Sequence, residues 1–215
     1  MKNTKVNKHK FLISALAVLI MASIIFAFVG FTTKSVKTKE ELISYARNSE
    51  NGLVKVKTIN GVKLKVMLRP NDLLVEQELG EGTTPDKAEV NRLRDKYNNY
   101  LYFILSISAD GKDVSTTRLA DMQAFSNRIQ TLAFGMGEYV FLTNENSDTA
   151  YVVDYIYPRT YGLGNSTDLM FVFDKAILNE SDYITFNLND IGLLTGTTRY
   201  KFRKKDLLTL PQLIL

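Results

Sequence analysis

Residues 161–167 read YGLGNST, two glycines one residue apart followed by small polar side chains. Glycines so spaced can let backbone amides face an anion, provided a helix starts directly after them and turns its N-terminal amides toward the phosphate. DLMFVFDK follows instead, and Leu169, Phe171 and Phe173 alternate with Met170, Val172 and Asp174 as in a strand. The stretch therefore reads as a connection between strands, with Gly162 and Gly164 permitting positive φ. Together with Arg159, Tyr161 and Asn165 it forms a first candidate contact surface, because loops at the end of a β-structure carry binding.

A second candidate lies in TRYKFRKK. Arg199, Lys201 and Arg203 alternate with Tyr200 and Phe202, so a strand here presents three cations on one face. That face suits lipid phosphates or an acidic partner, and equally an ordinary solvated strand surface. The hairpin pattern LVKVKTINGVKLKVML raises the same pair of readings. Val54 and Val56 alternate with Lys55 and Lys57, and Val62, Leu64 and Val66 alternate with Lys63 and Lys65, around Asn60-Gly61. The expectation is a type I′ turn, one aliphatic face and one lysine face. Asn144, Asn146 and Asp148 have the spacing that opens a calcium loop. Thr149 stands where such a loop needs glycine, however, and Tyr155 where it needs a bidentate glutamate, so a plain hairpin turn is expected.

Missing residue types exclude whole reaction classes. The only histidine is His9, at the N-terminus, and the chain has no cysteine. Ser-His-Asp and Cys-His nucleophile systems, histidine- or thiolate-ligated zinc and thiol redox chemistry have no residues to work with after position 9. No S-x-x-K spacing supports a Ser-Lys dyad. One enzymatic route is left, glycan cleavage by a carboxylate pair, for which Asp72, Glu76, Asp154, Asp168 and Asp174 are available. No cofactor is implied.

Residues 11–31, FLISALAVLIMASIIFAFVGF, form 21 positions without a charge, preceded by Lys2, Lys5, Lys8 and Lys10. As a helix this run spans roughly 31 Å, the thickness of a hydrocarbon core. It reads as a signal anchor rather than a cleaved signal peptide: the run is long for the latter, and no pair of small residues marks a cleavage site. The expected organisation is a basic tail (1–10), a transmembrane anchor (11–32), a stem with a short helix (33–52) and an extracytoplasmic β-rich domain (53–215). Lys34, Lys37 and Lys39 weaken the positive-inside contrast, and the domain outside is the preferred orientation. Cleavage and secretion is the alternative. The four lysines before the run account for the net charge of +4, since the remaining 23 basic residues balance 23 acids. A neutral domain gives no sign of nucleic-acid binding. An outward-facing domain without disulfides suits a bacterial cell membrane.

Within that domain, Thr38 or Ser35 can cap a short helix and Asn71 or Asp72 can start a turn of helix through Leu79. Thr84 and Pro85 can open a helix ending near Lys96. Residues 119–136 fit a helix, with Leu119, Met122, Phe125, Ile129, Leu132 and Met136 on one stripe, but IQTLAF also alternates as a strand. YLYFILSISA, EYVFLTN, TAYVVDYIY, LMFVFDK, YITFNLN and TTRYKFRKK read as strands at spacings near ten residues. The expected fold is mainly β, an antiparallel β-sandwich, Ig-like or related, with two or three short helices. The expected function is non-catalytic binding or assembly in the envelope, with an envelope protein or glycan as partner and the membrane held through residues 11–31. An envelope glycan hydrolase is the alternative.

Overall fold

The computed structural model describes residues 35–80, 85–158 and 164–215. The apolar run at 11–31 and the proposed cap Thr84 lie outside them. No helix among the described residues is long and apolar enough to cross a membrane.

The chain enters through β1 (Ser35–Val36), and Thr38 then opens α1 (Lys39–Arg47) by accepting the Glu41 amide at 3.2 Å. Leu42 and Ala46 of this helix are buried. β2 (Val54–Ile59) and β3 (Val62–Leu68) follow, joined by Asn60 and Gly61 at φ 50° and 77°, the two positive values a type I′ turn requires. Next come α2 (Asp72–Leu79) and α3 (Lys87–Asn98), the latter capped by Asp86 rather than by Thr84. β4 (Tyr100–Ala109), β5 (Lys112–Asp113) and α4 (Met122–Gln130) complete the first half. A π-helical turn at Thr131–Gly135 extends α4, so residues 122–136 are helical and not strand, while Leu119 precedes the helix, which Asp121 caps. The second half holds β6 (Val140–Asn144), β7 (Thr149–Tyr151), β8 (Asp154–Ile156), β9 (Thr167–Asp174), β10 (Tyr183–Leu188), β11 (Thr198–Arg203), α5 (Lys204–Leu208) and β12 (Gln212–Leu213).

The strands make a β-rich α+β fold of antiparallel sheets. One sheet has the order β2-β3-β4-β9-β8 with β5 added to β4, and a four-stranded sheet has the order β11-β10-β6-β7. β1 and β12 pair in parallel as a separate ribbon. Five α-helices among the described residues make the protein more helical than its strand patterns suggest. The inward residues of both sheets belong to one core. Phe186 of β10 lies 5.6 Å from Phe103 of β4 and 6.2 Å and 6.1 Å from Phe171 and Phe173 of β9, centroid to centroid. Phe202 of β11 adds a contact to Phe103 at 5.1 Å.

Two strand expectations need correction. TAYVVDYIY is not one strand. β7 pairs with β6 in the four-stranded sheet, the chain bends at Val152 and Val153, and β8 pairs with β9 in the other sheet. A strand that changes sheets in this way makes a corner. The β2–β3 hairpin likewise lacks a purely aliphatic face. A two-residue turn sets each even-numbered residue of β3 opposite an odd-numbered one of β2, so Leu64 and Val66 face Lys57 and Lys55. Val54 and Val56 therefore lie on the outer face, with Val56 49% exposed.

Phe186→Ala is expected to lower the unfolding free energy by about 3–5 kcal/mol in a urea titration, the range for deleting a buried aromatic. Because the chain lacks cysteine, the register is directly testable. Val56→Cys with Lys65→Cys, which are opposed, is expected to oxidise to a disulfide, whereas Val56→Cys with Met67→Cys, a diagonal pair about 7–8 Å apart, is not.

Candidate functional site

β2 is the edge of its sheet, and this explains how Lys55 and Lys57 can occupy the core-facing side. Their stems lie across the rim of the core, with Lys55 Nζ 5.9 Å from the Phe202 ring centroid and Lys57 Nζ 5.4 Å from that of Tyr200. Each ammonium group thus lies over a ring face, with Lys55 half-buried and Lys57 exposed. These contacts place the β2 edge beside β11, itself the edge of the four-stranded sheet.

Along β11 the expected alternation holds: Thr198, Tyr200 and Phe202 are buried, and Arg199, Lys201 and Arg203 are exposed. Lys201 Nζ sits 3.9 Å from the Tyr183 ring centroid and 3.8 Å from Glu145, and Arg203 binds Asp206 at 2.8 Å. Lys63 and Lys65 on the outer face of β3 continue the cations around the β2 edge. Among the described residues, Lys55, Lys57, Lys63, Lys65 and Arg199 have no carboxylate within salt-bridge distance. A cationic band thus wraps the β2–β11 side. Beside it, the outer face of the four-stranded sheet carries the row Arg199, Asn187, Phe141 and Tyr151, with Tyr151 72% exposed.

Of the loop candidates, Arg159, Tyr161 and Gly162 lie outside the described residues. Gly164 is half-buried and Asn165 exposed, just before Thr167 enters β9 opposite Ile107. That end also carries the Asn60-Gly61 turn and the 189–197 connection, because the Asn60 side chain donates to Leu194 O at 2.8 Å. Arg199, at the start of β11, belongs to the same end, whereas Lys201 and Arg203 run away from it.

The sequence reading missed Arg128. It is buried on α4, donating to Val114 O at 3.1 Å and Gly192 O at 3.3 Å, so it ties the 189–197 connection to the segment after β5. Burial lowers its pKa, and Asp190 opposes the shift. A cation in the Phe125-Leu132 helical stripe was the available signal. Asp190 in turn accepts the Leu193 amide at 2.7 Å and the Gly196 amide at 3.3 Å. Between them Leu194 is 79% exposed at φ 61°, a left-handed backbone that a γ-branched side chain enters at a cost.

The carboxylates proposed for glycan cleavage all accept local bonds. Asp72 takes Arg94 in a bidentate pair at 2.9 Å and 3.0 Å and the Leu213 amide at 2.7 Å. Glu76 pairs with Lys39 at 2.9 Å, and Asp174 caps the turn after β9 through the Ala176 amide at 2.8 Å. Asp154 accepts the Tyr155 amide and Asp168 the Ser166 hydroxyl. Asn144 is a turn residue, accepting the amides of Asn146 and Asp148 at 3.0 Å and 2.9 Å.

No protein-family model matches the chain, and no curated protein matches it. A crystal structure of a protein of unknown function from Burkholderia pseudomallei K96243 aligns with 80% of this chain and 86% of its own at 12% identity. The TM-score of 0.39 leaves that likeness without weight for fold detail or function.

Leu194→Gly is expected to raise stability by about 0.5–1 kcal/mol in thermal or urea unfolding. Relief of the left-handed strain, about 1–2 kcal/mol, outweighs the added chain entropy of glycine.

Proposed function

We propose that the protein is a membrane-anchored bacterial envelope protein whose C-terminal domain works by binding an acidic partner rather than by catalysis. In this reading residues 11–31 span the cell membrane, and residues 35–215 lie outside the cytoplasm. The two antiparallel sheets are the layers of an Ig-like sandwich, and an acidic envelope protein or glycan meets its β2–β11 side.

The observation that carries the reading is the band of Lys55, Lys57, Lys63, Lys65 and Arg199, which lacks carboxylate partners among the described residues. Five cations gathered on one side of a formally neutral domain repel one another, and an acidic partner removes that repulsion. The Tyr151 ring, 72% exposed at the far end of the Arg199 row, adds contact area for such a partner beside the band. A hydrolase built on a carboxylate pair draws no comparable support, because each candidate acid is already an acceptor in a local bond.

The test is binding of the full chain to isolated envelope fragments as salt is raised from about 0.05 M to about 0.5 M, which shortens the screening length to a few ångströms. Binding is expected to fall at least about tenfold, and to fall comparably at low salt in the Lys63→Glu/Lys65→Glu/Arg199→Glu variant. Salt-independent binding unaffected by the charge reversals overturns the reading. Release of reducing ends from an envelope glycan, lost on carboxylate substitution, replaces it with the hydrolase.

A further inference from the structure

The outer face of the larger sheet carries an apolar row that crosses five strands. Val54, Met67, Ile104, Met170 and Ile156 are successive cross-strand partners on β2, β3, β4, β9 and β8. Above Met67 and Ile104, α1 and α2 wall a cleft of about 150 Å³ with Ile43, Ala46 and Leu73. Farther along the row Met170 is half-buried and Ile156 is 50% exposed. Two methionines on the floor give it a pliable, polarizable surface.

Arg69, the residue after β3, lines the same cleft. Its Nη2 donates to Gln77 Oε1 at 2.7 Å, and its Nη1 lies 3.7 Å from Met170 Sδ, a weak acceptor. A guanidinium has five N–H donors, and no further acceptor of Arg69 occurs among the described residues. No carboxylate there is within salt-bridge distance of it either. Glu76 acts on Arg69 through its field but is itself paired with Lys39 at 2.9 Å. Burial of the guanidinium lowers its pKa, the mark of a partly dehydrated cation. A cation with spare donors beside an apolar groove is incomplete as a structural element: it gains most from a planar anion that it can hold with two bonds.

We propose that this cleft binds a small amphiphile, a single apolar chain ending in a carboxylate. The carboxylate pairs with Arg69, and the chain lies over Ile104, Met170 and Ile156. Two strand spacings of about 4.8 Å each separate Ile104 from Ile156, room for a short acyl chain. The cleft at the head of this path, about 150 Å³, takes the first carbons of one chain and not of two. The site is separate from Arg199 of the cationic band, which lies on the other sheet, and charge reversal at Arg199 leaves it intact.

Methionine-methyl NMR on the full chain tests the site, because Met67 lines the cleft, Met170 follows it along the row beside Arg69, and Met122, 77% exposed on α4, reports unspecific apolar contact. Hexanoate is the probe, with hexanamide as its uncharged match. Saturable shifts of Met67 and Met170 are expected with Kd on the order of 1 mM, what eight non-hydrogen atoms of ordinary efficiency reach. Met122 is expected to stay still. Hexanamide and the Arg69→Gln variant are each expected to weaken binding about tenfold or more, and Ile43→Trp, which fills the cleft mouth while keeping Arg69, to abolish it. Absence of shifts at about 10 mM hexanoate, ten times that Kd, overturns the proposal. So does equal binding of hexanamide, or an equal response at Met122. Wild-type affinity in Arg69→Gln also overturns it. Should Arg69→Gln fail to fold by circular dichroism, the hexanoate-hexanamide comparison on the unaltered chain decides.

Discussion

Phe186 is the side chain on which the two sheets depend. Its ring lies within about 6.5 Å of Phe103, Phe171, Phe173 and Tyr200, and the first three of these belong to the other sheet. Each tilted or edge-on ring pair adds roughly 0.5–1.5 kcal/mol beyond the area it buries. The inward residues of both sheets meet in this one core, so the contact holds the strand edges of the two sheets in place relative to each other. The consequences appear at the two sides of the sheet pair, which the chain treats differently.

On one side the chain itself joins the sheets, because the segment containing β7 and β8 leaves one and enters the other at Val152 and Val153. The other side has no such connection among the described residues, and the edges of β2 and β11 stand next to each other there. Lys55 and Lys57 hold their ammonium groups over the Phe202 and Tyr200 rings at this rim. Lysines at an edge also oppose pairing with a second copy of the same edge. On the proposed reading, the device that opposes self-association also leaves the cationic surface that an acidic partner would meet.

Much of this was legible in the sequence wherever one residue decides a local outcome. Asn60-Gly61 announced its turn, Thr38 its cap, and the alternation in β9 and β11 separated the buried residues from the exposed ones. Failures occurred where the deciding partner is remote. TAYVVDYIY alternates smoothly, and nothing local shows that its halves pair with different sheets. The valine-lysine alternation of β2 concealed its facing, although the two-residue turn already implied that odd positions of β2 oppose even positions of β3. Met122 and Phe125 fit a buried helical stripe yet are exposed, whereas Arg128 on that helix is buried because two distant carbonyls receive it. The cationic band was half legible: Arg199, Lys201 and Arg203 were visible as a face, but their adjacency to Lys55 and Lys57 arises only from packing. Arg69 and its cleft gave no local signal, since the row beneath them takes one residue from each of five strands.

The central claim is that the β2–β11 side meets a partner in the envelope. Site-specific photocrosslinking in intact cells tests it most directly, with the photoreactive residue placed at Thr58 on the β2 edge or, as a control, at Asn91 on α3, away from the band. The account predicts a discrete crosslinked species from position 58 and none from position 91. Equal adducts from both positions, or none from position 58 with the protein correctly inserted, contradict it.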